Sequence, residues 1–120
     1  MSKFAVEKRK VERIWEHPNA DRLDLAKVNG LDFQFVTAKG NYKEGDLVVY
    51  FPVDALLPEP LIEFMDMVGK FSGKERNRVK TIKLRNEISQ GFTLSLEKVA
   101  EYLGKDIEDL KEVYDLTEML

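Results

Sequence analysis

Six cations crowd the segment from Lys74 to Arg85: Lys74, Arg76, Arg78, Lys80, Lys83 and Arg85, against the single acid Glu75. A guanidinium grips a phosphate through two parallel hydrogen bonds, whereas an ammonium offers a mobile point charge, so the mixture suits phosphate groups and is wasted on a neutral ligand. Within "VKTIKLR", Val79 to Arg85, the residues alternate as a strand does. Lys80, Ile82 and Leu84 fall on one face, and Thr81, Lys83 and Arg85 on the other. That places Lys83 and Arg85 about 7 Å apart, roughly the spacing of successive phosphates along a nucleic acid strand. Ser89 and Gln90 follow as donors for further polar contacts. The simplest competing use of these cations is to guard an exposed strand edge against aggregation.

The basic segment is local, because the 120-residue chain carries a formal net charge of −3. From Glu97 to Leu120 eight acids face three lysines, so the sequence is electrically polarised and leaves room for one basic face. There is no cysteine, which excludes disulfides, thiolate metal sites and a cysteine nucleophile. The lone histidine, His17, excludes a zinc site built on two or more imidazoles, and its setting in "HPNAD" favours a structural place in a turn. Asp21, Asp24, Asp46 and Asp54 are scattered over separate turns, without the pairing that acid–base catalysis needs. "GKFSGKE" matches neither the P-loop nor the dinucleotide fingerprint. Bases of a single strand stack on aromatic rings. Of Phe33, Phe35, Tyr42, Tyr50, Phe51 and Phe92, the alternation assigns the phenylalanines to the core, and Tyr42, in the turn "GNYKEGD", is expected to be the exposed ring.

These residues need elements to position them. The first two-thirds reads as short strands: "AVEKRKVERIWE", then "LDLAKV" stopping at the turn dipeptide Asn29-Gly30, then "DFQFVTAKG", with Phe33 and Phe35 on one side. "LVVYFPV" is the nearly continuous apolar run of a buried central strand. Pro60 to Val68 has helical spacing, with Leu61, Ile62, Phe64, Met65 and Val68 as its apolar positions. "VKTIKLR" and "GFTLSL" form a hairpin-like pair joined by "NEISQ". From Ser95 a helical stripe of Leu96, Val99, Ala100 and Leu103 ends at Gly104, and a second helix follows Asp106 with Ile107, Leu110, Val113 and Tyr114 buried. The polar segment "GKFSGKERN", Gly69 to Asn77, reads as a linker. The fold expected is mainly β with short helices, an OB-like small barrel over residues 1–96 with one inserted helix and an acidic helical tail over 97–120.

"GDLVVYFPVDALLPE", a short helix, a basic loop and then "VKTIKLRNEISQGFTLSL" resemble, in order and spacing, the N-terminal module of ATP-dependent RNA ligases of the Deinococcus and Naegleria type. The resemblance covers nearly the whole chain, and "KTIKLR" followed by "ISQG" is its most specific part. It implies an OB-like domain that engages RNA or a nicked duplex on the side supplying the 3′-hydroxyl, in RNA repair, alongside a nucleotidyltransferase domain. That domain's Lys-x-Asp-Gly motif does not occur in this sequence; "KVNG", Lys27 to Gly30, comes nearest, with Asn29 in place of the acid. The chain by itself is therefore expected to form no lysyl-adenylate, and ATP and magnesium are expected only with a catalytic ligase domain, which "EVYDLTEML" would precede as a linker.

"HPNADRLDLAKV" is similar to the opening of the tRNA-binding OB domains appended to some aminoacyl-tRNA synthetases, so tRNA is the alternative partner. A protein–protein interaction domain, docking through the acidic helices, is the other alternative. The N-terminus lacks the apolar region of a signal peptide and no apolar run approaches bilayer length, so a cytoplasmic protein without a membrane partner is expected.

Overall fold

The computed structural model describes residues 6–111, 115 and 116. The chain enters through a long strand, β1 (Glu7–Glu16), and continues in β2 (Leu23–Val28), β3 (Gln34–Ala38) and β4 (Leu47–Phe51). Helix α1 (Glu59–Phe64) intervenes before three short strands, β5 (Ile82–Leu84), β6 (Glu87–Ser89) and β7 (Phe92–Ser95), and the helices α2 (Leu96–Leu103) and α3 (Ile107–Lys111) follow. A five-stranded antiparallel sheet runs β3-β2-β1-β4-β7, with β5-β6 as a separate two-stranded ribbon.

One strand can serve two partners because β1 is bent. Its first half pairs with β4 and its second half with β2, and the register shifts between Val11 and Arg13, the signature of a bulge that bends a strand and increases its twist. The sheet thereby curls into a half-barrel. β4 is apolar throughout because both its faces are covered. Val48 and Tyr50 face the barrel interior with Val11, Ala26, Val28, Phe35 and Tyr42, whereas Val49 and Phe51 join Leu57, Leu61, Leu96, Val99 and Leu110 under the helices.

The open side of the curl, between β3 and β7, is closed by the segment "ISQG". The Gln90 amide donates to the Gln34 carbonyl at 2.9 Å, the Val36 amide donates to Ser89 Oγ at 2.9 Å, and the Tyr50 hydroxyl donates to the Gln90 carbonyl at 2.8 Å. Gly91, at φ +95°, lies against the Tyr50 ring, where any Cβ would overlap it. A glycine is required there for both reasons.

Several expectations are corrected. "VKTIKLR" is a strand only over Ile82–Leu84, and its partner is β6, inside the "NEISQ" that was expected to be a connection; β7 pairs with β4 instead. The two-residue turn between β5 and β6 is Arg85-Asn86, both at positive φ (50° and 72°), the requirement of a type I′ hairpin turn. The inserted helix stops at Phe64, and Val68, beyond it, is 69% exposed. "GKFSGKERN" contributes a closed loop, since Ser72 and Arg78 exchange both backbone hydrogen bonds.

The C-terminal helices pack on the barrel. Ser95 Oγ caps α2 by accepting from the Lys98 amide, Gly104 ends it in the left-handed conformation at φ 68°, and Leu96, Val99 and Ala100 are buried. Lys8 Nζ donates to the Leu110 and Lys111 carbonyls at the end of α3, while Leu116 is buried and donates its amide to the Val6 carbonyl. The apolar stripes of α2 and α3 are thus spent within this chain. Val113 and Tyr114 lie outside the described residues.

Candidate nucleic-acid interface

The six cations of the basic segment separate into three groups. Lys74 and Arg76 sit in the loop closed by Ser72 and Arg78, with Arg76 at φ 57°. Arg78 and Lys80 converge on Asp54: Lys80 Nζ donates to its carboxylate at 2.7 Å and an Arg78 nitrogen lies 3.7 Å away. The Lys80 hydrogen bond holds the Asp54 carboxyl below its ordinary value. Lys83 and Arg85 belong to the β5–β6 hairpin, where Lys83 stands opposite Ile88 and Arg85 occupies the turn. The expected placement of Lys83 and Arg85 on one strand face is therefore replaced by a strand residue next to a projecting tip.

Charge availability differs among the groups. Among the described residues the side chains of Lys74, Arg76, Lys83 and Arg85 have no ion-pair or hydrogen-bond partner, and all four residues are exposed. Desolvation costs little at such positions, so their charge remains directed at solvent. The free cations are the loop and hairpin pairs, and the Asp54 pairs are half-neutralised.

The hairpin tip is held by residues far away in sequence. His17 is 5% exposed; its Nδ1 accepts the Asn19 amide at 3.0 Å and its Nε2 donates to the Leu84 carbonyl at 2.9 Å. Asn19 Nδ2 donates to the Arg85 carbonyl at 2.8 Å. A non-glycine residue at positive φ costs about 1–2 kcal/mol, and these two hydrogen bonds fix the strained turn in place. The expected structural role of His17 in its turn is met, with the addition that the turn carries the basic hairpin.

The same junction brings in a further cation from outside the basic segment. Arg22 and Arg85 line one shallow recess of about 360 Å³ with Asn19 and Asp21. The 63-residue gap between them concealed the pairing (85 − 22). Their juxtaposition depends on the contact between the β1–β2 turn and the hairpin, which no local pattern reports.

Ser89 and Gln90 take different places from those expected. Ser89 is 4% exposed and its Oγ is engaged by Val36, so it serves barrel closure. Gln90 spends its backbone on Gln34 and Tyr50, and it lines a cavity together with Phe33. The aromatic expectation is reversed at two positions. Tyr42 is buried at 7% exposure, its hydroxyl 3.1 Å from Thr93 Oγ1, and burial raises its pKa above the ordinary 10.0. Phe33 precedes β3 and is 50% exposed, whereas Phe35 and Phe51 are core residues as expected.

The carboxylates serve local structure. Asp24 accepts the Gly40 amide, Asp46 accepts the Lys43 amide, and Asp54 binds Lys80. The "KVNG" tetrapeptide is a β2 end and turn, with Lys27 paired to Glu12 and Asp32 and Asn29 holding the Lys10 amide. Among the described residues no group of three His, Cys, Asp or Glu side chains could hold a metal ion, and no helix is long and apolar enough to cross a membrane.

No curated protein sequence matches the chain. Solved structures do. The whole chain superposes on 34% of the Naegleria gruberi RNA ligase with PPi, at a TM-score of 0.73 and 27% identity. It also superposes on 34% of an apo variant of that ligase, at 0.74 and 26%. A variant with AMP and Mn gives 0.73 and 26%, with 97% of this chain on 33% of that one. The chain thus spans about a third of the length of the ligases it resembles. The PHA02142 OB-fold domain family matches residues 5–96, enclosing every strand of the curled sheet and the basic hairpin, and the chain belongs to that family.

Proposed function

We propose that this chain is a nucleic-acid-binding OB module that acts with a nucleotidyltransferase domain in RNA ligation, engaging the RNA end that supplies the 3′-hydroxyl. The observation carrying this reading is that Lys74, Arg76, Lys83 and Arg85 have no partner among the described residues, with the last two on a hairpin whose tip is fixed by His17 and Asn19. Full-length superposition on one part of an RNA ligase supports the choice of substrate class. Phosphate oxygens are the groups these cations contact, which positions a strand without reading its bases. Ser89, buried with its Oγ engaged by the Val36 amide, is assigned to barrel closure rather than to phosphate contact. ATP and magnesium belong to the nucleotidyltransferase domain, and RNA repair in the cytoplasm is the setting proposed for the assembled activity.

The test is binding of the purified chain to a nicked duplex, an intact duplex and a single strand, each at two salt concentrations. Engagement of about four phosphates predicts an affinity that falls roughly a hundredfold or more over a fourfold rise in salt, with preference for the nick. Equal and salt-independent binding would contradict the proposal. A tRNA included as fourth ligand and preferred over the nick would favour the tRNA reading.

A further inference from the structure

We infer that the cavity beside Phe33 takes one unpaired nucleobase of the bound strand, an inference that rests on the nucleic-acid reading above. Phe33, Tyr50, Pro52, Thr81 and Gln90 line a space of about 230 Å³ that is mostly apolar. Pockets for drug-sized ligands run to about 300–1,000 Å³, so this one suits a single ring system. Phe33 lines that space and is half exposed, so an aromatic side chain is accessible at the cavity.

Two lining residues carry side-chain polar groups with no partner among the described residues. Among the described residues the Thr81 hydroxyl and the Gln90 carboxamide make no hydrogen bond. A carboxamide offers both donors and an acceptor, and a hydroxyl offers either, which is what a Watson–Crick edge requires and an aliphatic ligand does not. Gln90 is held in register because its own amide and carbonyl are bonded to Gln34 and Tyr50.

Charge complementarity selects the occupant. Thr81 lies between Lys80, whose charge is shared with Asp54, and Lys83, two residues on, which has no partner among the described residues. A strand whose phosphates follow these cations brings its bases to the cavity mouth. Stacking on one aromatic ring is worth about 5- to 150-fold in affinity and tolerates any base.

The experiment compares an oligoadenylate RNA with an abasic ribose-phosphate oligomer of equal length, bound to the wild-type chain, to Phe33→Leu and to Val53→Trp. Leucine keeps the apolar surface and removes the ring, and tryptophan at Val53, another lining residue, fills the space. The wild type should prefer the base-bearing oligomer about 5- to 150-fold, both variants should bring that ratio close to one, and their salt dependence should match the wild type. Equal, salt-sensitive binding of the two oligomers by the wild type overturns the base cavity and leaves the phosphate-binding reading standing. An unchanged preference in both variants, each melting cooperatively, also overturns it. Failure of the wild type to bind either oligomer at low salt removes the nucleic-acid reading and the cavity with it.

Discussion

The stretch Arg78 to Phe92 divides into two halves with opposite uses. Its second half, Ser89 to Gly91, turns inward: Ser89 holds Val36, Gln90 joins Gln34 to Tyr50, and Gly91 makes room for the Tyr50 ring. Its hairpin, Ile82 to Ile88, turns outward, with Lys83 and Arg85 unpartnered among the described residues and Ile82, Leu84 and Ile88 also exposed. A run of residues that reads as one motif thus joins barrel closure to an exposed basic hairpin. Hydrogen-bond partners, rather than residue type, distinguish the two.

Substitutions in the closing half should affect the fold first. Gly91→Ala forces a Cβ into the Tyr50 ring at a positive φ, and should destabilise the domain by about 3 kcal/mol, read as a lowered denaturant midpoint. Substitutions in the hairpin should do the reverse. Lys83→Ala with Arg85→Ala should weaken RNA binding about 10- to 100-fold while the melting temperature stays within a few degrees of wild type, because neither side chain has a partner to lose.

Ser89 separates the halves most sharply. Ser89→Ala leaves the Val36 amide without its acceptor and should cost about 1–2 kcal/mol of stability, with RNA affinity at low temperature unchanged. An affinity loss without a stability loss would return Ser89 to the interface. Arg85→Gly, in contrast, should raise stability by about 1 kcal/mol through relief of the positive φ, yet lower affinity severalfold.

The smallest effect is on the pH profile. Burial pushes both the Tyr42 and the Tyr50 hydroxyls above the ordinary 10.0, with Arg9 lowering Tyr50 less than burial raises it. As pH rises through 10 the unfolded chain releases these protons before the folded one, so the folded state binds more protons and stability falls. Thermal melts at pH 9 and pH 11 should show that decline, and Tyr50→Phe should reduce it.

Much of the architecture was legible in local pattern. The apolar run of β4, the capped stripe of α2 and the Asn29-Gly30 turn carry their signals in adjacent residues, because burial on both faces, a Ser cap and a left-handed glycine are local requirements. The Arg85-Asn86 turn was not legible. It contains no glycine, and its positive φ values are held by His17 and Asn19 through tertiary hydrogen bonds. Phe33 and Tyr42 exchanged places for a similar reason: alternation counted Phe33 into a strand that starts one residue later, and a loop position hid the inward hydroxyl contact of Tyr42 with Thr93. The cations themselves were found by composition, whereas their division by Asp54 and the addition of Arg22 needed three dimensions.

The claim that the hairpin cations bind phosphate is tested most directly by the salt dependence of nicked-duplex binding for the wild-type chain and for Lys83→Ala with Arg85→Ala. The slope of log affinity against log salt should become shallower by about two in the variant, one for each phosphate contact removed. An unchanged slope, with the variant folded, would contradict it.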